Sequence, residues 1–222
     1  MTYANREEAG DLLAAQLAKY AGREDVIVLG LVRGGVPVAA RVAAALRAPL
    51  DVLVVRKLGV PWSPEVAFGA LGPGGVTVHN PEVESYLSNA DVARVIQNEG
   101  DELVRREARY RSGRAPLTLT GSVAIIVDDG IATGATARAA VAVARHLGAA
   151  RVVLAVPVGS IEAVGLLARA ADEVVCLLTP PGFGAVSRYY ESFRQVTDDE
   201  VVRLLAGYAA GMTRTGTVGE CR

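Results

Sequence analysis

An α/β fold, with a parallel sheet covered by helices on both faces, is what this sequence predicts, and three observations carry the prediction. Apolar runs rich in β-branched residues recur along the chain: VIVLGL (26–31), DVLVV (51–55), VAIIV (123–127), VVLAVPV (152–158) and EVVCLL (173–178). They are continuous rather than alternating, as strands buried on both faces are. Helix-forming stretches separate most of them, and such alternation produces parallel crossovers. With 222 residues, 51% of them hydrophobic, the chain can bury one sizeable core. Residues 1–210 therefore read as a single domain, with a short flexible tail at 211–222.

In chain order, residues 5–20 place Ala9, Leu12, Leu13 and Leu17 at helical spacing behind Asn5, a good capping residue. Strand 26–31 runs into Arg33-Gly34-Gly35 and a helix over 36–46, and strand 51–55 ends on Arg56-Lys57. Residues 58–81 contain Pro61, Pro64, Pro73, Pro81 and a GPGG turn. They read as a loop in which AFGAL and GVTVH can pair as a hairpin. A longer helix, about 90–112, carries Val92, Ile96, Leu103 and Tyr110 on one stripe, Glu102 four residues before Arg106, and Gly100 as a point of bending. Strand 123–127 leads to a helix over 135–147. Strand 152–158, a helix near 161–170 and strand 173–178 complete the alternation. Residues 180–193 are irregular, and 198–209 form a short terminal helix.

Composition narrows the function classes. A net charge of −1 announces no broad basic surface, so nucleic acid is not an expected partner. No apolar stretch approaches the roughly 18 residues of a membrane span, and the N-terminus has no signal-peptide core. Cys176 and Cys221 have no metal-ligand spacing and suit unpaired thiols in a reducing compartment, so a cytoplasmic location without membrane association is expected.

The chemistry concentrates in VAIIVDDGIATGAT (123–136), where an apolar strand ends on Asp128 and Asp129. Asp-Gly can simply reverse a hairpin, but the helix-forming residues that follow make the unit strand, turn, helix. A Gly/Thr turn opening a helix offers backbone N–H groups and the positive end of the dipole to an anion. Thr133 and Thr136 add hydroxyls, and Gly134 keeps side-chain bulk away. Two carboxylates repel a bare phosphate, so they suit sugar hydroxyls or a hydrated divalent cation. Together these features describe a ribose 5-phosphate site. The sequence holds neither GxxxxGK[ST] nor GxGxxG, which removes two common rival phosphate loops.

The same stretch resembles the signature of the type I phosphoribosyltransferases, which bind phosphoribosyl pyrophosphate. LVRGG (31–35) is similar to the family's pyrophosphate loop, although alone it also fits an ordinary strand–helix turn. RKLGVPWSPEVAFGA (56–70) resembles the start of its mobile catalytic loop. The resemblance implies a phosphoribosyltransferase-like (Rossmann-like) core with a small hood at 180–197, a mobile loop at 58–81 and a cis peptide at Val32–Arg33. It further implies transfer of ribose 5-phosphate to a small nucleobase-like acceptor with release of pyrophosphate. Asp128 and Asp129 would hold the 2′- and 3′-hydroxyls and Mg²⁺, directly or through water. Ala132, Thr133, Gly134, Ala135 and Thr136 would seat the 5′-phosphate. Arg33, Gly34 and Gly35 would meet the pyrophosphate, with Arg56 and Lys57 closing on it. Asp128, Asp129, Arg33 and Lys57 are the residues expected to act in catalysis.

One position departs from part of the family. Members acting on 6-oxopurines usually carry Asp where Ala132 stands, so that chemistry is disfavoured. Glu65 is an acid/base candidate by position alone. Trp62, Phe183, Tyr189 and Tyr190 are candidates to stack on an acceptor ring; packing onto the sheet is the competing reading, favoured for Tyr189 and Phe193. His79 and His146 are isolated. Arginines 105, 106, 109, 111 and 114 read as a solvated helix face, with a phosphate contact across a homodimer as the alternative. A non-catalytic regulator that senses phosphoribosyl pyrophosphate remains the alternative function. Competence-type relatives usually carry zinc-ligating cysteines near the N-terminus, which this chain lacks.

Overall fold

Every apolar run predicted as a strand joins one parallel sheet. The chain forms α1 (Arg6–Gln16), β1 (Val26–Leu31), α2 (Gly35–Leu46) and β2 (Leu50–Leu53), then β3 (Arg56–Val60), β4 (Ser63–Gly72) and β5 (Val76–His79). It continues with α3 (Pro81–Glu84), α4 (Asn89–Tyr110), β6 (Val123–Val127), α5 (Ala135–His146), β7 (Arg151–Val158), α6 (Ile161–Leu167), β8 (Glu173–Leu178) and α7 (Asp198–Thr215). This computed structural model describes residues 2–215, except for the side chains of Glu65 and 210–215. The central sheet has the order β2-β1-β6-β7-β8, all parallel.

Because successive strand residues face opposite sides, neighbours in sequence enter different cores. Val28, Ile125 and Val153 pack with Leu13, Val42, Leu46 and Val201 on the face covered by α1, α2 and α7. Leu29, Ile126 and Leu154 pack with Ala140, Val141 and Leu167 on the face covered by α5 and α6. Asn5 caps α1, its side chain accepting from the Glu8 N–H at 2.9 Å.

Residues 58–81 differ from the loop expected. They complete a three-stranded antiparallel sheet, β3-β4-β5, in which the anticipated AFGAL–GVTVH pairing appears as Ala70 opposite Val78 and Leu71 opposite Thr77. The prolines and glycines that suggested a loop serve its turns and close approaches. Pro61 and Trp62 lie between paired Val60 and Ser63, and the register shifts around Gly59. A Cβ on Gly69 would stand 2.4 Å from the Val78 carbonyl oxygen. Gly74 and Gly75 turn with φ of 69° and 78°. Leu58, Phe68 and Leu71 anchor this sheet in the core beside Leu103 of α4.

Smaller differences follow from long-range packing. β2 stops at Leu53, α3 was not anticipated, Gly100 leaves α4 uninterrupted, and α6 ends at Leu167. The terminal helix runs on to Thr215, beyond the predicted 209, and residues 216–222 of the expected tail lie outside the described residues. Among the described residues, no helix is long and apolar enough to cross a membrane.

The arginine strip is not one solvated face. Arg105 and Arg106 pair with Glu102, and Arg109 with Asp198 and Asp199. Arg111 and Arg114 turn inward to Asp51 on β2, at 3.0 and 3.5 Å.

Candidate active site

β6 ends where its sequence turns polar, and the chain there enters the loop 128–134 before α5. Gly134, at φ 75°, supplies the left-handed turn that starts the helix, a conformation a side chain would strain. The loop is pinned from the neighbouring strand end. The Ile131 N–H donates to the Val158 carbonyl at 2.9 Å, and Ser160 Oγ donates to the Ala132 carbonyl at 2.7 Å. Residues 130–137 thereby enclose a pocket of about 120 Å³ with Asp128 at its edge. The first turn of α5 faces it, so N–H groups and dipole favour an anion there by roughly 0.3–2 kcal/mol.

A second pocket, of about 500 Å³, adjoins the acids. Arg6, Arg33, Gly34, Arg106, Asp128 and Asp129 line it, with residues 193–196 along its edge. Asp128 therefore borders both pockets. The Val32–Arg33 peptide is cis, as the resemblance implied. Gly34 and Gly35 let the start of α2 press against the acids. A Cβ on Gly34 would lie 2.1 Å from Asp129 Oδ2, and one on Gly35 would lie 2.4 Å from the Val127 carbonyl oxygen and 2.8 Å from Asp128 Cα. Both obstacles to Gly35 are backbone, so Gly35→Ala must push α2 off β6. We expect it to destabilise the fold by about 1–3 kcal/mol, the usual cost of overpacking, read by denaturant unfolding; a wild-type midpoint would mean the helix start can move freely.

The two carboxylates sit in an unfavourable field. Asp128 titrates well above the ordinary carboxylate range, because burial penalises its charge and Asp129 repels it. Burial also raises Asp129, although the Arg6 guanidinium pulls the other way. Arg6 Nε and Nη2 lie 2.8 and 2.7 Å from Asp129 Oδ2. The Asp129 N–H donates to Asp128 Oδ1 at 2.9 Å, and the Tyr190 hydroxyl donates to the Asp129 carbonyl at 2.6 Å.

Among the described residues no cluster of three or more His, Cys, Asp or Glu could by itself hold a metal ion. The acids nonetheless fit one vertex of a hard divalent cation. They are adjacent, insufficiently neutralised oxygen donors, and the remaining ligands would have to come from a bound polyanion and water.

The structure thus gathers Asp128, Asp129, Arg33, Gly34, Gly35 and the 132–136 loop. Arg33 is partly engaged, with Nη1 3.5 Å from Asp198 Oδ1. It does not bring Arg56 or Lys57 into either pocket. Arg56 is drawn to Glu99 on α4, its Nε 2.6 Å from Oε2, because β3 carries it under that helix. Lys57 lines a third cleft, of about 310 Å³, between the small sheet and α5 with His79 and Arg138; this cleft shares Ala135 with the loop pocket. Trp62 is exposed at the β3–β4 turn, whereas Phe183 and Tyr190 are buried with Tyr3 and Val158. Tyr189 stacks on Phe183 at 5.4 Å, so three of the four candidate aromatics pack the 180–193 segment. The side chain of Glu65 lies outside the described residues. His79 pairs with Glu84. Arg6 is the functional candidate the sequence did not single out; nothing in NREEAGDLL distinguishes it from a first-turn surface residue.

Comparison with known proteins identifies the family. Residues 3–178 match the model of the phosphoribosyl transferase domain family. Proteins from two strains of Mycobacterium tuberculosis, provisionally named phosphoribosyl transferases, are 56% identical over 203 residues, covering 90% of this chain and 46% of theirs. The chain thus spans about half the length of the curated relatives it matches. The crystal structure of TT1426 from Thermus thermophilus superposes with a TM-score of 0.87 at 45% identity, covering 94% of this chain and 99% of that one. With the family model spanning most of its length, and with the strand, acidic pair and Gly/Thr loop in place, this chain belongs to the phosphoribosyl transferase domain family.

Proposed function

We propose that the chain transfers ribose 5-phosphate from phosphoribosyl pyrophosphate to a small heterocyclic, nucleobase-like acceptor, releasing pyrophosphate. The supporting observation is that Asp128 borders both an amide-lined pocket and an arginine-lined pocket. A molecule with a phosphate at one end, a diol in the middle and a pyrophosphate at the other suits that arrangement. In this reading residues 132–136 hold the 5′-phosphate, Asp128 and Asp129 accept from the 2′- and 3′-hydroxyls, and Arg33 with Gly34 and Gly35 meets the pyrophosphate.

The site's charges serve the transition state more than the ground state. As the C1′–O bond breaks, positive charge grows on the ribose near the carboxylates, and negative charge grows on the leaving group near Arg33. Mg²⁺, held by Asp128 and Asp129 directly or through water, would supply further charge neutralisation to the pyrophosphate. Arg56 and Lys57 belong to this machinery only if the β3–β5 sheet swings over the site, a closure that would also exclude water and protect the donor from hydrolysis. Ala132 can accept no proton, which turns the reading away from 6-oxopurine acceptors.

The test is a panel of heterocycles incubated with phosphoribosyl pyrophosphate and Mg²⁺ and scored by pyrophosphate release. Acceptor-dependent release is the expected result. Donor binding with no turnover on any acceptor would move the chain to the sensing class, and absence of donor binding would overturn the reading.

A further inference from the structure

Arg6 is 7% exposed although it occupies the first position of α1. Its guanidinium is held on three sides. Nε and Nη2 converge on a single oxygen, Asp129 Oδ2, at 2.8 and 2.7 Å. Nη1 donates to the Arg194 carbonyl at 2.8 Å, and the group lies 4.0 Å from the centroid of the Phe193 ring. A planar fork with several donors can meet all three partners at once, which an ammonium cannot.

Those partners belong to two different parts of the site. Asp129 is one of the paired acids, whereas Phe193 and Arg194 end the 180–194 segment that follows β8. That segment is already joined to the N-terminus. The Tyr3 N–H donates to the Tyr189 carbonyl at 2.8 Å, the Glu191 N–H to the Tyr3 carbonyl at 2.8 Å, and the Ser192 N–H to the Ala4 carbonyl at 3.0 Å. Tyr190 adds its hydroxyl bond to the Asp129 carbonyl. The N-terminus and residues 189–194 are therefore one unit, and Arg6 fastens its charged edge to the acid. Arg6 engages Oδ2 of Asp129 and the Asp129 N–H engages Oδ1 of Asp128, so neither bond uses Asp129 Oδ1 or Asp128 Oδ2.

We propose that Arg6 is a positioning residue that holds Asp129 so that Oδ1 is presented beside Asp128 to the donor's diol, and that it thereby couples donor binding to the arrangement of residues 189–194. The proposal rests on the donor reading above. It gives the 189–194 segment a role beyond packing: a ligand that loads Asp129 is felt there through one guanidinium. A staple that merely stabilised the N-terminus would lower stability when cut and leave donor affinity alone.

The experiment compares wild type, Arg6→Lys and Arg6→Gln by calorimetric titration with phosphoribosyl pyrophosphate and Mg²⁺. Thermal unfolding and amide exchange at 189–194, with and without donor, are read in parallel. Arg6→Gln is expected to weaken donor binding about tenfold or more, within the usual range of coupling free energies. Arg6→Lys should restore part of that loss, and donor-induced protection of the 189–194 amides should disappear in Arg6→Gln. Wild-type affinity and protection in a folded Arg6→Gln protein would overturn the proposal, as would lost stability with unchanged affinity. If Arg6→Gln fails to fold, Phe193→Leu removes the ring under the guanidinium without touching Asp129. A several-fold loss of donor affinity is then expected, and wild-type affinity overturns the proposal. Wild-type protein that does not bind the donor overturns the functional reading and this proposal with it; donor binding indifferent to these substitutions overturns this proposal alone.

Discussion

Replacing Asp128 and Asp129 together by Asn is expected to reduce donor turnover by about a hundredfold or more, on the scale seen when a preorganised electrostatic contact is removed. Asn Oδ1 at 128 can still accept the N–H of residue 129 that Asp128 accepts at 2.9 Å, whereas Arg6 loses its carboxylate and keeps its bond to the Arg194 carbonyl, so the double variant should fold with reduced stability. Asp128→Asn alone separates function from stability. Burial and Asp129 raise the pKa of Asp128, so the folded protein binds a proton there more tightly than the unfolded chain. Stability is then complete below the unfolded carboxylate pKa and is lost as pH rises toward the folded value. Asn removes that loss. The variant should therefore unfold at a temperature equal to or above wild type at neutral pH, with the difference shrinking in acid. Calorimetric titration with the donor and Mg²⁺, alongside thermal scans across pH, checks both halves. Unchanged donor affinity in the double variant would remove the acids from the site, and a strongly destabilised Asp128→Asn would show that the ionised carboxylate supports the fold.

Asp51→Ala is expected to cost about 3–5 kcal/mol, the range for leaving a buried charge without its partner. For a chain of this size that lowers the unfolding midpoint by about 10 °C. Asp51 is buried on β2, where Oδ1 accepts from the Val52 N–H at 2.8 Å and from Arg111 Nε at 3.1 Å, and Oδ2 from Arg111 Nη2 at 3.0 Å. Arg114 joins it and also donates to the carbonyls of Leu50 and Leu205. This cluster ties the end of α4 and the residues after it to the edge strand and to α7. Without Asp51, Arg111, whose side chain is 9% exposed, keeps a bond to the Ala115 carbonyl but no carboxylate. Denaturant unfolding measures the loss. A change below about 1 kcal/mol would mean that Arg111 rotates into water like an ordinary surface group.

By itself the sequence determined the five parallel strands, the helices that cross between them and the loop at the end of β6. Continuous β-branched runs suit strands of a parallel sheet covered by helices on both faces, whether central or at its edge. Asp128-Asp129 followed by Thr133-Gly134 encodes its geometry within seven residues, through a left-handed glycine that starts the helix. The small sheet was half legible: β4 and β5 carried a pairing signal, while the glycines and prolines at its turns and bulge concealed β3.

Tertiary structure alone decided which charges meet. Arg6 reaches Asp129 across 123 positions of sequence, and Arg111 reaches Asp51 across 60. Arg56 turns to Glu99 instead of the pyrophosphate side. The physical reason is one of range. Backbone conformation answers to neighbours a few residues away, whose periodicity is written in the chain. The partner of a long cationic side chain is whichever carboxylate the packed layers bring within about 3 Å, and local spacing carries no record of that choice.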